Sequence, residues 1–221
     1  MRRGCTCCDA HSRVDELAGR ALALASEYGL AYWAAIASVQ RGEALAGYGP
    51  ESEAVELLQR GIRSYCGMGA GSHEVAYRAL AVQGYARIGR LDDAHHELAD
   101  AFDGLARHGE RYFESELHRL KGELLLRRDR GGATGSPQAH ADAERLFRSA
   151  IDIARPQRAR SLELRAATSL SRLLRDQGRH AEAVEVLSGV YAWFTEGFDV
   201  LDLEEAAALL HVAAARAAPV A

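Results

Sequence analysis

Apolar residues recur along this chain at intervals of three and four and nowhere settle into alternation, so the pattern predicts helices from end to end. The periodic stretches run over about 13–28, 31–47, 51–66, 72–88, 91–107, 111–128, 140–155, 159–177, 181–195 and 199–216. Turn glycines at Gly49, Gly89 and Gly178 separate neighbouring stretches, and proline stands only at 50, 137, 156 and 219, in or near expected connections. Alanine is very abundant, and alanine, leucine, glutamate and arginine are the strongest helix formers. The expected fold class is all-α. Residues 1–12 carry no pattern and are expected as a disordered tail, with a second short tail at 218–221.

The pattern repeats. A small residue, a large one four positions later and a small one three beyond that read Ala54-Leu58-Gly61, Ala94-Leu98-Ala101, Ala143-Phe147-Ala150 and Ala183-Leu187-Val190. Val14-Ala18-Ala21 is an earlier, partial copy. Successive anchors at 14, 54, 94, 143 and 183 are 40, 40, 49 and 40 residues apart, and the longer interval contains a loop insertion at 129–140. Ahead of each anchor lies a second amphipathic stretch with its own signature: Gly42, Val82, Gly122 and Ser171, each followed three residues on by Leu45, Tyr85, Leu125 or Leu174. Small residues let two helix axes approach, and large ones fill the adjacent holes. The expected architecture is a right-handed α-solenoid of about five helical hairpins of tetratricopeptide type over residues 13–217, with a unit longer than the usual ~34 residues.

Three runs are more specific than the period: GERYFESELHRLKGELLL at Gly109–Leu126, SLELRAA at Ser161–Ala167 and YAWFTEGFDVLDL at Tyr191–Leu203. Together they resemble the C-terminal repeat region of large bacterial signalling proteins. Those proteins join an adenylate/guanylate cyclase or a LuxR-type DNA-binding domain to an AAA-type (STAND) ATPase. The chain is also similar to the helical-repeat domain of the maltose-regulon activator. The resemblance covers about residues 13–210 and is sharpest from Gly109 onward. It implies a non-catalytic scaffold for a protein partner or an effector, acting as the C-terminal arm of a signalling or transcriptional regulator. A stand-alone adaptor and a small-molecule-binding domain are the alternatives.

The catalytic parts of such regulators have no counterpart in these residues. A P-loop ends in Gly-Lys-Ser/Thr after a glycine-rich turn, whereas the single lysine, Lys121, precedes Gly122 inside a helical stretch. GMGAGS at 67–72 has no strand before it and reads as a turn. The C-x-C-C cluster of Cys5, Cys7 and Cys8 has thiolate-site chemistry but no second pair nearby, and is expected to be tail thiols. His95-His96, set among Asp92, Asp93, Glu97, Asp100 and Asp103, is expected on a solvated helix face. No serine or cysteine stands beside a base in a way that would activate it, so no enzyme, cofactor or metal site is expected.

With 27 basic against 31 acidic residues the net charge is −4, which speaks against direct nucleic-acid or anionic-membrane binding. No transmembrane run or signal peptide is visible, so a cytoplasmic location is expected. Charge is uneven, however: Leu91–Glu116 carries −6 and Arg155–His180 carries +5, which offers self-association or steering of a charged partner. The expected binding surface is the concave face, where the slot after each crossing holds Glu43, Gln83, Glu123 and Arg172, with Arg87, Glu116, Arg119, Arg165 and Arg175 beside them. The aromatic residues Tyr191, Trp193, Phe194 and Phe198 are expected to cap the C-terminal end, with truncation of Trp193 costing ~3–5 kcal/mol.

Overall fold

The computed structural model describes residues 6–69, 71, 73–129 and 136–217, and side chains within them from Ala10 to Val212. Among the described residues there are ten α-helices and no strand. The chain divides into two compact units, Met1–Phe113 and Glu114–Ala221. None of the described helices is long and apolar enough to cross a membrane.

The first unit holds α1 (Thr6–Glu27), α2 (Ala31–Leu45), α3 (Glu51–Gly67), α4 (Glu74–Arg87) and α5 (Leu91–His108). Helices α2 and α3 form one hairpin and α4 and α5 the next, with α1 laid against α2 and with α4 packed on both α2 and α3. The crossing is where the repeat pattern places it. A methyl group on Gly42 would sit 2.9 Å from the Leu58 backbone nitrogen and 3.0 Å from the Ala54 carbonyl oxygen. One on Gly61 would sit 2.9 Å from the Ala35 carbonyl oxygen. Val82 and Ala101, the same two positions of the next hairpin, are fully buried.

The second unit repeats this order with α6 (Glu114–Asp129), α7 (Pro137–Ala154), α8 (Arg160–Asp176), α9 (His180–Tyr191) and α10 (Leu201–Ala217). Helices α6 and α7 pair, α8 and α9 pair, α8 packs on α6 and α7, and α10 closes on α8 and α9. Gly122 faces the Phe147 ring so closely that a methyl group there would lie 2.6 Å from Cε1. Ser171 takes the glycine's place one repeat on, and its hydroxyl donates to the Ala183 carbonyl at 2.9 Å. Ser115, a crossing residue that the pattern did not single out, donates likewise to the Ala150 carbonyl at 2.8 Å. A small hydroxyl thus lets the helices meet and satisfies its own polarity on the partner backbone.

The turns follow the same logic. Gly89 and Gly178 have φ of +83° and +80°, and the next residue's N–H reaches back into the helix, Arg90 to the Tyr85 carbonyl and Arg179 to the Leu174 carbonyl, both at 2.9 Å. This is a left-handed glycine stop of Schellman type. Gly49 serves differently: it is not left-handed, but its Cα lies so close to Leu45 that a methyl group would meet Cδ2 at 2.6 Å.

Three boundaries differ from expectation. Residues 6–12, expected within a disordered tail, belong to α1, which starts at Thr6. His11 explains this: it lies 4.0 Å from Glu43 and beneath Gly47, so docking on α2 orders the turn ahead of it. Of the insertion expected at 129–140, Pro137–His140 are the first turn of α7, started by proline at its most favourable position, and residues 130–135 lie outside the described residues. Helix α9 stops at Tyr191 rather than near 195, where the chain turns away through Trp193 and Phe194.

Replacing Gly122 by alanine should force the Phe147 ring aside and destabilise the protein by about 1–3 kcal/mol in urea unfolding. Replacing Gly189, a helical glycine whose added methyl would meet nothing within 4 Å, by alanine should leave stability unchanged or raise it by up to ~1 kcal/mol.

Candidate functional site

The polar residues that follow each crossing are drawn together by the packing of successive hairpins, and most of them tie one helix to the next. In the first unit, Arg87 on α4 reaches back to α2, where its Nη1 lies 2.7 Å from Glu43 Oε1 and donates to the Glu43 carbonyl at 3.0 Å. Gln83, on the same face, points its amide toward the Ala79 carbonyl at 3.5 Å. In the second unit, Glu116 on α6 is fully buried and accepts hydrogen bonds from Nη2 and Nε of Arg119, at 2.7 and 2.9 Å. Arg165 on α8 adds a third contact to Glu116 at 3.1 Å and lies 3.9 Å from Asp202 on α10. Ser169 on α8 donates to Glu123 at 2.7 Å, and Glu123 lies 3.7 Å from Arg119. Arg172 pairs with Glu205 on α10. Arg175 stays apart from these ties, held by its exposed neighbour Asp176 at 2.8 Å. Burial alone would raise the Glu116 pKa, but the Arg119 and Arg165 guanidiniums overcome it, and the carboxyl ends below its ordinary value.

A second buried cluster was not anticipated from the sequence. Arg78 on α4 donates from Nε to Glu74 at 2.8 Å, and from Nη1 to Glu97 at 2.7 Å and Asp100 at 3.0 Å on α5. Arg107 and His108 at the end of α5 return to the Glu74 carboxylate, each at 3.1 Å. Burial pushes Glu74 up, yet the hydrogen bonds from Arg78 and His108 bring it below its ordinary value. Glu97, where burial outweighs the attraction of Arg78, ends above it. The only signal in the sequence was the i, i+4 spacing of Glu74 and Arg78.

These ties account for much of the uneven charge. Glu97 and Asp100, in the stretch expected to be a solvated face, are turned onto Arg78. In the basic stretch, Glu163 is buried between Arg155 at 2.9 Å and Arg160 at 2.6 Å, and Arg179 bridges Glu144 and Glu182 at 2.7 and 2.6 Å.

An open groove lies elsewhere in the second unit. It has a volume of about 620 Å³ and runs between α7 and α9 over a floor contributed by α8. Ile151, Leu170, Val186 and Val190 make its apolar surface, while Arg148, Asp152 and Arg155 line one rim and Glu182 and Glu185 the other. Gly189 stands in its wall. The crossing glycines Gly42, Gly61 and Gly122 are each required by a neighbour a methyl would strike; Gly189 is required by nothing inside the protein, and its missing side chain keeps the groove open.

The remaining candidates are placed as follows. Cys5 and the side chains of Cys7 and Cys8 lie outside the described residues. Cys66 is a free thiol 3.4 Å from Arg78; burial pushes its pKa up despite that charge. Among the described residues no group of three or more His, Cys, Asp or Glu is arranged to hold a metal ion. In the glycine-rich turn at 67–72, Ala70 and Ser72 lie outside the described residues, and Gly71 abuts the His108 ring.

The aromatic cap divides. Tyr191 and Phe194 pack on the core of the second unit, and Phe198 leans on Tyr191 with ring centroids 5.9 Å apart. Trp193, expected to be the costliest to lose, is 60% exposed and lies against the Arg160 guanidinium at 4.0 Å. The chain leaves α9 before reaching it, so its ring covers a cation rather than the core.

Compared with known proteins, the chain matches no protein-family model and no curated protein.

Glu116→Gln leaves Arg119 and Arg165 facing a neutral group in a buried site, and should cost about 3–5 kcal/mol in chemical denaturation. Because the Glu116 carboxyl titrates below its unfolded value, its contribution is complete at neutral pH and is lost as pH falls through that depressed value; acid unfolding of the variant should therefore be less steep than that of the parent. Trp193→Ala should cost only ~0.5–1 kcal/mol, the scale of an exposed cation–π contact.

Proposed function

We propose that this chain is a non-catalytic helical-repeat module of tetratricopeptide type, an α-solenoid that binds a segment of a protein partner. We further propose that it serves as the C-terminal arm of a cyclase- or ATPase-linked signalling or transcriptional regulator in the cytoplasm. The forty-residue period in the sequence and its agreement with the helix crossings support the repeat reading. The three runs at Gly109–Leu126, Ser161–Ala167 and Tyr191–Leu203 support the regulator reading. A non-catalytic role suits Cys66, whose raised pKa is the reverse of what a nucleophile needs, and its free thiol suits a reducing compartment.

The observation that carries the binding assignment is the groove between α7 and α9. Most charged residues expected to meet a ligand are engaged with each other, and the rim charges of the groove are paired as well, Arg148 with Glu144, Arg155 with Glu163 and Glu182 with Arg179. What sets the groove apart is an uncovered apolar floor and a glycine that lets a ligand backbone come close. An extended or helical peptide would bury its apolar side chains on Ile151, Leu170 and Val186 and place its charges on the rims. A small effector is the second reading, favoured by a volume within the ~300–1,000 Å³ of small-molecule sites.

Panning a random peptide library on the full chain should enrich amphipathic sequences with two or three apolar anchors and flanking charges. Gly189→Arg, which fills the groove from open space, should abolish that enrichment without lowering the melting temperature. Enrichment that survives Gly189→Arg places binding elsewhere. An absence of enrichment overturns the peptide reading in favour of the small effector.

A further inference from the structure

Helix α1 is held along one side and bare along another. Its held side is buried at Ala18 and Ala25, and Asp15 on the same side takes hydrogen bonds from Arg41 at 2.9 Å and Tyr48 at 2.7 Å. About a quarter-turn round the helix runs a second apolar stripe, Val14, Leu17, Ala21 and Leu24, carried on by Tyr28 one residue past its end, with spacings of three, four, three and four residues. These side chains face solvent: Val14 is 42% exposed, Leu17 48%, Leu24 57% and Tyr28 67%. The matching side of α3, forty residues on at Ala54 and Gly61, is covered by α2. In α1 nothing described covers it.

Alternating steps of three and four give a mean repeat of 3.5, the seam of a two-stranded coiled coil, with Val14, Ala21 and Tyr28 in one core position and Leu17 and Leu24 in the other. The charges beside the stripe decide the partner. Arg13, Arg20 and Glu27, all exposed, occupy the heptad position flanking the seam on its outer side. When two such helices run antiparallel and cross near Arg20, Arg13 of each meets Glu27 of the other, twice over, while the two Arg20 side chains near the axis each have Glu16 one turn away. A parallel pair would set Arg13 beside Ala18 and gain no ion pair. The stripe and its flanks are therefore complementary to themselves, as a two-fold interface requires.

We propose that α1 is a dimerisation helix, which pairs antiparallel with α1 of a second copy along Val14, Leu17, Ala21, Leu24 and Tyr28. This surface is independent of the groove between α7 and α9.

Sedimentation equilibrium of the full chain at about 1–100 μM decides the matter. The mass expected at the upper end is twice the 24.0 kDa of one chain. Leu17→Glu with Leu24→Glu, both at exposed positions, should return the protein to one-chain mass with unchanged helical circular dichroism. Glu27→Arg should weaken the dimer by ~2–10-fold, and Arg13→Glu in the same chain should restore it. Gly189→Arg should leave the dimer untouched. A wild-type chain that stays monomeric at 100 μM overturns the proposal and leaves the stripe to a helix of another protein. A dimer that survives the double glutamate variant places the interface elsewhere. Failure of the charge swap to restore affinity overturns the antiparallel arrangement.

Discussion

Two helices lie closest where only a small residue stands between them, and the crossings at Gly42, Gly61 and Gly122 depend on that restriction. Gly42 meets the backbone of α3 at Ala54 and Leu58, Gly61 meets α2 at Ala35, and Gly122 admits the Phe147 ring. Where serine replaces glycine, as at Ser171 and Ser115, the extra volume is tolerated because the hydroxyl bonds to the facing carbonyl. Close approach makes the large residues fit: Leu58, Phe147 and Leu187 are wholly buried because the adjacent crossing draws a partner helix over them.

The same approach sets the fate of the charges. Once the first helices of successive hairpins lie side by side, long side chains just past each crossing fall within reach of each other. Arg87 finds Glu43, Arg165 finds Glu116, and Arg172 finds Glu205. Only Glu116 among these is fully buried, so breaking its tie is costly even though a buried ion pair adds little net stability over an apolar pair of equal volume, whereas the half-exposed pair of Arg172 and Glu205 contributes little. Two apolar surfaces are left uncovered beside these ties: the floor of the groove between α7 and α9, and the bare stripe of α1.

Local pattern was enough to read the helices, their pairing and the residues at their crossings. Apolar periodicity and small residues act over one or two turns, and a forty-residue repeat shows them several times in one chain. The charged residues were harder. Glu43, Glu116, Arg119 and Arg165 were recognisable as a polar row, but whether such a row meets water or a neighbouring arginine depends on helices that are distant in sequence. The Arg78 cluster joins Glu74, Glu97 and Asp100 across two helices and showed only as one i, i+4 pair. Trp193 looked like a core residue because it is large and lies among aromatic neighbours; the early end of α9 turned it out onto Arg160.

An all-helical chain with hairpins crossing at small residues is written into short stretches of sequence, because helix propensity and apolar period are properties of neighbouring residues. Contacts between distant helices settle which charges cancel, which glycine lines an open groove instead of admitting a helix, and which face of α1 is left uncovered. Those outcomes depend on what arrives from elsewhere in the chain: Gly122 and Gly189 look alike in the sequence, and only the presence of Phe147 against one and of open space against the other separates them.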